Sequence, residues 1–218
     1  MRKRLEGSNP SLSAIMDLIN TILHIDVYLT EIVNIYGTLS YLLLFAVIFI
    51  ETGLVFVPFL PGDSLLFAAG AISAISSLNI YTLIIILFVA AFLGDTTNYF
   101  IGKLLGNKLS AKVNQEYLSR TQEFYKKYGG ITIFLARFIP IIRTFAPFVA
   151  GLGKMDYKKF IIYNATGGLV WVLLFTLSGY FLGNIPQIKE NFSIIVVIII
   201  LLSFVPVLFE FIKNKKHD

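Results

Sequence analysis

The sequence predicts an all-α integral membrane protein built as an inverted repeat, in which each half is a re-entrant helical hairpin followed by a transmembrane helix. Three observations lead to this fold class: scarce charge, apolar stretches of two lengths, and an internal similarity at fixed spacing. Charged residues make up 14% of the 218 residues, and hydrophobic residues 56%. A soluble domain typically carries about 25% charge. So few polar side chains cannot cover a surface that faces water.

The two ends of the chain are predicted to lie outside the repeat. Within residues 1–36, apolar side chains recur at helical spacing between acidic ones, as in Ile15, Leu18, Ile19 and Ile22. This pattern is typical of an amphipathic helix in the membrane interface, with a helix facing a protein partner as the alternative. Residues 186–218 are predicted to form a last transmembrane helix and a basic tail.

Two apolar regions, residues 37–77 and 130–153, are predicted to be re-entrant hairpins. Pro61 and Gly62 interrupt the first, and Pro140 and Pro147 interrupt the second. The resulting arms are short: one of about 12 residues gives roughly 18 Å of helix, against a hydrocarbon core of about 30 Å. The second arm of the first hairpin and both arms of the second are therefore too short to cross, whereas residues 37–57 could form either a re-entrant arm or a full crossing.

Two other segments, residues 79–103 and 157–183, are long enough to cross the membrane, and a charged surface helix is predicted over 107–128. One crossing separates the two hairpins, and each hairpin returns to its own side. The hairpins must therefore enter from opposite faces, an arrangement found in secondary transporters with unwound tips near the midplane.

An internal similarity supports this division of the chain. A shift of 81 residues superimposes an aromatic and small-residue pattern that follows each hairpin and ends each crossing. The matched positions are Phe67, Ala69 and Gly70 with Phe148, Ala150 and Gly151, and Tyr99, Phe100 and Gly102 with Tyr180, Phe181 and Gly183. We interpret the similarity as a repeat of about 80 residues.

The distribution of Lys and Arg predicts the orientation. Twelve of the 18 basic residues lie on the side that holds 103–128, 154–159 and the C-terminal tail, and four lie on the other side. By the positive-inside rule the C-terminus is cytoplasmic. The basic cluster at residues 2–4 disagrees with this orientation unless 37–57 crosses the membrane fully.

Five charged residues lie inside apolar stretches: Glu51, Asp63, Asp95, Arg137 and Arg143. Each costs about 2.5–3.5 kcal/mol at the centre of a membrane on insertion scales. If the hairpin tips face each other, the two carboxylates of the first hairpin can neutralise the two arginines of the second. Such a balanced polar cavity is the predicted functional site.

The residue types in this cavity predict its chemistry. Arg137 and Arg143 flank Pro140, and two guanidinium forks suit a phosphate or a carboxylate; a purely structural ion pair is the alternative. Glu51 and Asp63 are predicted to take up protons, because loss of hydration favours the protonated form of a carboxyl group, whereas a neighbouring Arg favours the charged form. The alternatives are a salt-bridge partner for Glu51 and a helix N-cap for Asp63.

Asp95 has a different prediction, because Ala90, Gly94 and Asn98 fall four residues apart on the same segment. Small residues at this spacing allow close helix contact. Packing and hydrogen bonding are therefore favoured over a direct ligand role for Asp95, and Pro61, Gly62 and Pro140 are also assigned structural roles.

Several kinds of chemistry are excluded or disfavoured. The chain has no cysteine and two histidines, so a thiolate metal site, an iron–sulfur cluster and a thiol nucleophile are excluded. We expect no catalytic residue, metal or cofactor. Nucleic acid is not an expected partner, because the basic residues flank apolar runs.

Three motifs are similar to those of the DedA family, also called the VTT or SNARE-associated domain family. They are Glu51-Thr52-Gly53 with Phe59 to Leu66, Gly94-Asp95 with Tyr99 to Gly102, and Arg137 to Arg143 continuing to Ala150-Gly151. The likeness covers roughly residues 35–185. It implies a multi-pass protein of the bacterial inner membrane with two facing re-entrant hairpins, linked to recycling of undecaprenyl phosphate and to the proton-motive force. Eukaryotic members are phospholipid scramblases.

The resemblance also implies that the acidic pair Glu51 and Asp63 and the arginine pair Arg137 and Arg143 are essential. The expected function is translocation of a lipid phosphate across the cytoplasmic membrane, coupled to the proton-motive force. Undecaprenyl phosphate is the first expected substrate, and phospholipid scrambling is the second possibility. Membrane lipid and a second copy of the chain are further expected partners. A membrane lipid phosphatase and a proton-coupled small-ion transporter are the alternatives.

Overall fold

The computed structural model describes residues 35–54, 62–109 and 115–185, and the regular structure in these ranges is helical. The predicted N-terminal amphipathic helix, the last transmembrane helix and Pro61 lie outside the described residues. The helices are α1 Thr38–Gly53, α2 Gly62–Ser73, α3 Ile80–Leu109, α4 Gln115–Tyr128, α5 Thr132–Ala136, α6 Pro140–Leu152 and α7 Tyr157–Gly183, with a 3₁₀ turn at Gly129–Ile131.

Local sequence signals explain where three helices begin. Asn79 caps α3, because its side chain accepts hydrogen bonds from the N–H groups of Tyr81 and Thr82 at 2.9 and 3.1 Å. Asp156 caps α7 by accepting from the N–H of Lys159 at 3.1 Å. Pro140 stands in the first turn of α6, where its missing N–H would have no intrahelical partner. These polar caps and this proline mark where helices begin in an otherwise apolar chain.

Two helices, α3 and α7, are long and apolar enough to cross a membrane. In their most apolar windows only 33% and 39% of the residues are buried. Large apolar side chains instead point outward along these helices, including Ile85, Leu104, Ile162 and Phe181, each at least 60% exposed. Such a surface is suited to lipid and not to water.

The structure agrees with one sequence prediction of this kind and differs from another. The span of α3 that is apolar enough to cross a membrane, Ile80–Leu104, agrees with the predicted crossing over 79–103, although the helix itself continues to Leu109. Pro147 is expected to interrupt the second hairpin but lies inside the continuous helix α6. It supplies no N–H to the carbonyl of Arg143, four residues earlier, and α6 tolerates this loss without a break.

The second arm of each predicted hairpin packs against the long helix of the other half. Helix α2 packs on α7, and α6 packs on α3. Both contacts are backbone against backbone: a Cβ added at Gly179 would lie 2.0 Å from the carbonyl oxygen of Phe67, and one at Gly151 would lie 2.0 Å from that of Tyr99. This reciprocal packing is the pattern that two related halves would produce. The inverted and re-entrant placement of the hairpins in a membrane stays a prediction.

The two halves are also joined through Asn98 at the centre of α3. Its side-chain amide donates to the carbonyl of Thr52 in α1 at 3.2 Å and to that of Thr144 in α6 at 2.8 Å. Nearby, a Cβ on Gly94 would lie 1.9 Å from the hydroxyl oxygen of Thr52. The predicted close contact of the Gly94 face is therefore present, and one helix, α3, contacts both α1 and α6.

We expect Gly151→Ala to destabilise the protein by about 1–3 kcal/mol or more, because the new methyl group overlaps the backbone of α3. Gly53→Ala is the matched control, since its Cβ would lie at an ordinary 3.4 Å from its nearest neighbour. In a helix the control change is neutral or favourable. Thermal unfolding in detergent, followed by circular dichroism, measures both. Equal unfolding temperatures would contradict the close approach of α6 to α3.

Candidate functional site

The five charged residues singled out in the sequence converge on the centre of the helix bundle. Glu51 lies at the end of α1, Asp63 in the first turn of α2 and Asp95 in the middle of α3. Arg137 follows α5, and Arg143 lies in the first turn of α6. Four of the five therefore stand next to a helix end, and the breaks in the chain bring them together.

Arg143 connects the two predicted hairpins. Its Nη2 donates to Oε1 of Glu51 and its Nη1 to Oδ1 of Asp63, both at 2.5 Å. One guanidinium fork therefore holds two carboxylates that would otherwise repel each other. Because Asp63 lies inside α2 and points at Arg143, it does not act as the N-cap considered as its alternative.

Arg137 has a separate partner, which corrects the simple pairing of hairpin acids with hairpin arginines. Its Nη2 donates to Oδ2 of Asp95 at 2.5 Å and to the side-chain oxygen of Asn164 at 2.6 Å. The amide of Asn164 donates in turn to the carbonyl of Phe92 at 3.2 Å. Asp95 is thus the ion-pair partner of an arginine as well as part of a packed helix, and the two arginines have different environments.

The ion pairs of Arg143 and Arg137 and the polar groups bonded to them form one network. Sequence reasoning missed two of its residues, Asn164 and Trp171, both on α7. Trp171 donates from its indole N–H to Oδ1 of Asp63 at 2.7 Å. Its ring lies 5.5 Å from the guanidinium carbon of Arg143 and 5.7 Å from that of Arg137. The available signal for Asn164 is an amide side chain within an apolar span. The same span places Trp171 in the core or on the lipid face, and no pattern distinguishes its polar edge.

Two glycines give the charged groups room. A Cβ at Gly62 would lie 2.0 Å from Oε2 of Glu51, so α2 can begin against this carboxylate only without a side chain. A Cβ at Gly168 would lie 3.2 Å from Nη2 of Arg137. The absence of a side chain at Gly62 therefore lets the Glu51 carboxylate reach the start of α2.

The cavity within this network is small. Its volume is about 10 Å³, and its lining includes Glu51, Asp95, Arg137, Arg143 and Trp171. This is room for about one water molecule and not for a phosphate group. Exposure is uneven, because the side chain of Asp63 is 35% exposed and that of Arg137 is 5% exposed. The network is therefore accessible from the side of Asp63.

The site is rich in carboxyl groups but is not arranged as a metal centre. Among residues 35–54, 62–109 and 115–185, no three histidine, aspartate or glutamate side chains are placed to share a metal ion. The three carboxyl groups instead face two guanidinium groups. If all five are ionised, the network carries one net negative charge.

These features together define a helical integral membrane protein with a buried, charged site at its centre. The VTT domain family matches residues 60–181, and the chain belongs to this family, whose members include the DedA proteins. The matched region contains every charged residue of the network except Glu51. No solved structure matches the chain.

Curated relatives agree with this assignment. Protein DedA of Escherichia coli is 50% identical over 206 residues, which are 91% of this chain and 94% of that protein. An uncharacterized membrane protein of Mycobacterium tuberculosis is 43% identical over 169 residues, 74% of each chain. Inner membrane protein YqjA of E. coli is 36% identical over 151 residues, 67% of this chain and 69% of YqjA.

Proposed function

We propose that this protein translocates a lipid phosphate across the bacterial cytoplasmic membrane, with undecaprenyl phosphate preferred over ordinary phospholipids. Proton uptake by the carboxyl groups of the site drives the replacement of these groups by the phosphate. The observation that carries the proposal is the double ion pair of Arg143. A guanidinium fork that holds two carboxylates in an apolar bundle can hold two phosphate oxygens instead. The polyprenyl or acyl tail of such a lipid can remain against the exposed apolar faces of α3 and α7.

Charge accounting supports a role for protons at Arg143. With both acids ionised, Glu51, Asp63 and Arg143 carry one net negative charge. A phosphate monoester carries between about −1.5 and −2 near neutral pH. If both acids take up a proton while a phosphate dianion binds Arg143, the group again carries one net negative charge. The exchange therefore avoids adding charge to a site where charge is costly.

The small cavity fits one state of such a cycle. The cavity beside Glu51 and Arg143 holds about one water molecule, so a phosphate that binds Arg143 would have to take the place of the carboxylates. The partly exposed Asp63 is the first group that a proton or a phosphate would reach. Under this proposal the structure is the ion-paired state without bound lipid. The proposed orientation, with the C-terminus in the cytoplasm, rests on the distribution of Lys and Arg.

Transport is proposed in preference to hydrolysis of the lipid phosphate. A phosphatase needs a nucleophile and a base or acid next to the arginines. The described cavity lining contains no histidine, and the hydroxyl of Thr52, one of its residues, donates to the carbonyl of Ile48 at 2.9 Å. These contacts disfavour a phosphatase with a hydroxyl nucleophile and a histidine base, and the carboxylates that line the cavity are paired with Arg137 and Arg143.

Reconstitution into liposomes tests the proposal. Labelled undecaprenyl phosphate and labelled phosphatidylcholine are followed across the bilayer, with and without an imposed proton gradient. We expect faster movement of undecaprenyl phosphate, further accelerated by the gradient. Equal rates for both lipids would indicate scrambling. Release of inorganic phosphate from undecaprenyl pyrophosphate would indicate a phosphatase, and Na⁺ or K⁺ flux without lipid phosphate would indicate an ion transporter.

A further inference from the structure

Trp171 lies between the two ion-paired arginines, Arg143 and Arg137. Its side chain is 1% exposed, and it touches both guanidinium groups and one carboxylate of the network. It therefore links Arg137, Arg143 and Asp63 through a single side chain. The sequence contains one tryptophan, so all tryptophan fluorescence of the chain comes from this position.

The indole N–H has a specific consequence for Asp63. Oδ1 of Asp63 accepts from two donors, Nη1 of Arg143 at 2.5 Å and Nε1 of Trp171 at 2.7 Å. If Arg143 turns towards another anion, the hydrogen bond from Trp171 remains. The carboxyl group is then kept beside α7 and does not compete with that anion for Arg143.

The ring has a second consequence, for the arginines. An aromatic face attracts a guanidinium group, most strongly where water is excluded. Arg137 and Arg143 both lie within 6 Å of the ring centroid. When a carboxylate partner is protonated, the ring continues to stabilise the cation that has lost it. Both effects act on the state in which Arg143 is free for a new ligand.

We propose that Trp171 is a positioning residue of the site: its N–H keeps the Asp63 carboxyl group beside α7 when Arg143 leaves it for a lipid phosphate, and its ring keeps both guanidinium groups in place while that phosphate binds. This inference rests on the proposed function. It assigns to Trp171 an effect on phosphate binding that packing alone would not produce.

Two substitutions separate the N–H from the ring. Trp171→Phe keeps an aromatic face but loses the donor, and we expect about a tenfold higher KM for undecaprenyl phosphate with kcat nearly unchanged. Trp171→Leu loses both, and we expect a larger rise in KM together with about a tenfold fall in kcat. Phe175→Leu is the control, because Phe175 packs against Trp171 edge to face and belongs to the apolar cluster of the bundle.

A structural role would lower the amount of folded protein in all three variants and leave the KM of the folded fraction unchanged. If Trp171→Leu transports with the KM and kcat of the parent, the inference is overturned. If Phe175→Leu raises KM as much as Trp171→Phe does, packing and not positioning is responsible.

Fluorescence gives a measurement that does not depend on transport. Farnesyl phosphate added to the detergent-solubilised protein should change the tryptophan emission, farnesol should not, and Arg143→Ala should abolish the response. An unchanged emission in a protein that transports overturns the role of Trp171 and leaves the proposed function intact. A changed emission in a protein that transports nothing supports Trp171 at an anion site and overturns the proposed function.

Discussion

Arg143→Ala is expected to reduce translocation of undecaprenyl phosphate by about 100-fold or more, because it removes the fork that holds either two carboxylates or a phosphate. Arg143→Lys keeps the charge but loses the planar bidentate geometry, and we expect an intermediate loss of about tenfold. The measurement is the initial rate in liposomes at matched amounts of folded protein. Arg143 is singled out because its partner Asp63 is partly exposed, whereas the Arg137 pair is closed.

The matched control for Arg143 is Arg120→Ala on the surface helix α4. Arg120 also forms a 2.5 Å ion pair, with Glu116, but both side chains are well exposed. Its loss should leave the rate unchanged, because exposed pairs of this kind contribute little. If Arg143→Ala transports at the parental rate, or if Arg120→Ala is equally slow, Arg143 is not the phosphate-binding group.

The features that local signals determine could be predicted from the sequence. Asn79, Asp156 and Pro140 are residue types that start helices, so their positions divide the apolar chain into its elements. The cost of charge in a membrane likewise identifies Glu51 and Arg143 as residues that require partners. Both inferences depend on a few neighbouring residues or on composition.

The identity of the partners could not be predicted in the same way. Arg137 pairs with Asp95, and not with an acid of the first hairpin, because α3 and α7 bring Asp95 and Asn164 to the same side of the bundle. The choice of partner depends on the rotation and register of long helices, and the hydrophobic periodicity of the sequence does not determine either. For the same reason the prediction for Pro147 is wrong: whether a proline breaks or only bends a helix depends on how its surroundings hold the two sides.

Breaking the buried pair of Arg137 and Asp95 from one side is expected to cause a large loss of stability. Asp95→Asn removes one charge and leaves Arg137 with two neutral partners, the side chain of Asn164 and the ring of Trp171. Breaking a buried ion pair from one side costs about 3–5 kcal/mol, because an uncompensated charge stays behind. Both side chains are at most 7% exposed, so water cannot replace the lost partner. The free energy of unfolding in detergent, from chemical denaturation, measures this cost.

A double-mutant cycle distinguishes the charge effect from packing. Arg137→Met removes the orphaned charge, so the double variant should be more stable than Asp95→Asn alone, and the effects of the two changes should be far from additive. The exposed pair Glu116 and Arg120 provides the reference cycle, with an expected coupling of about 0.3–0.5 kcal/mol. A coupling no larger than this for Asp95 and Arg137 would mean that their ion pair does not form in the folded protein. A large coupling would assign Arg137 to holding the bundle together and leave Arg143 as the arginine free to exchange its partners.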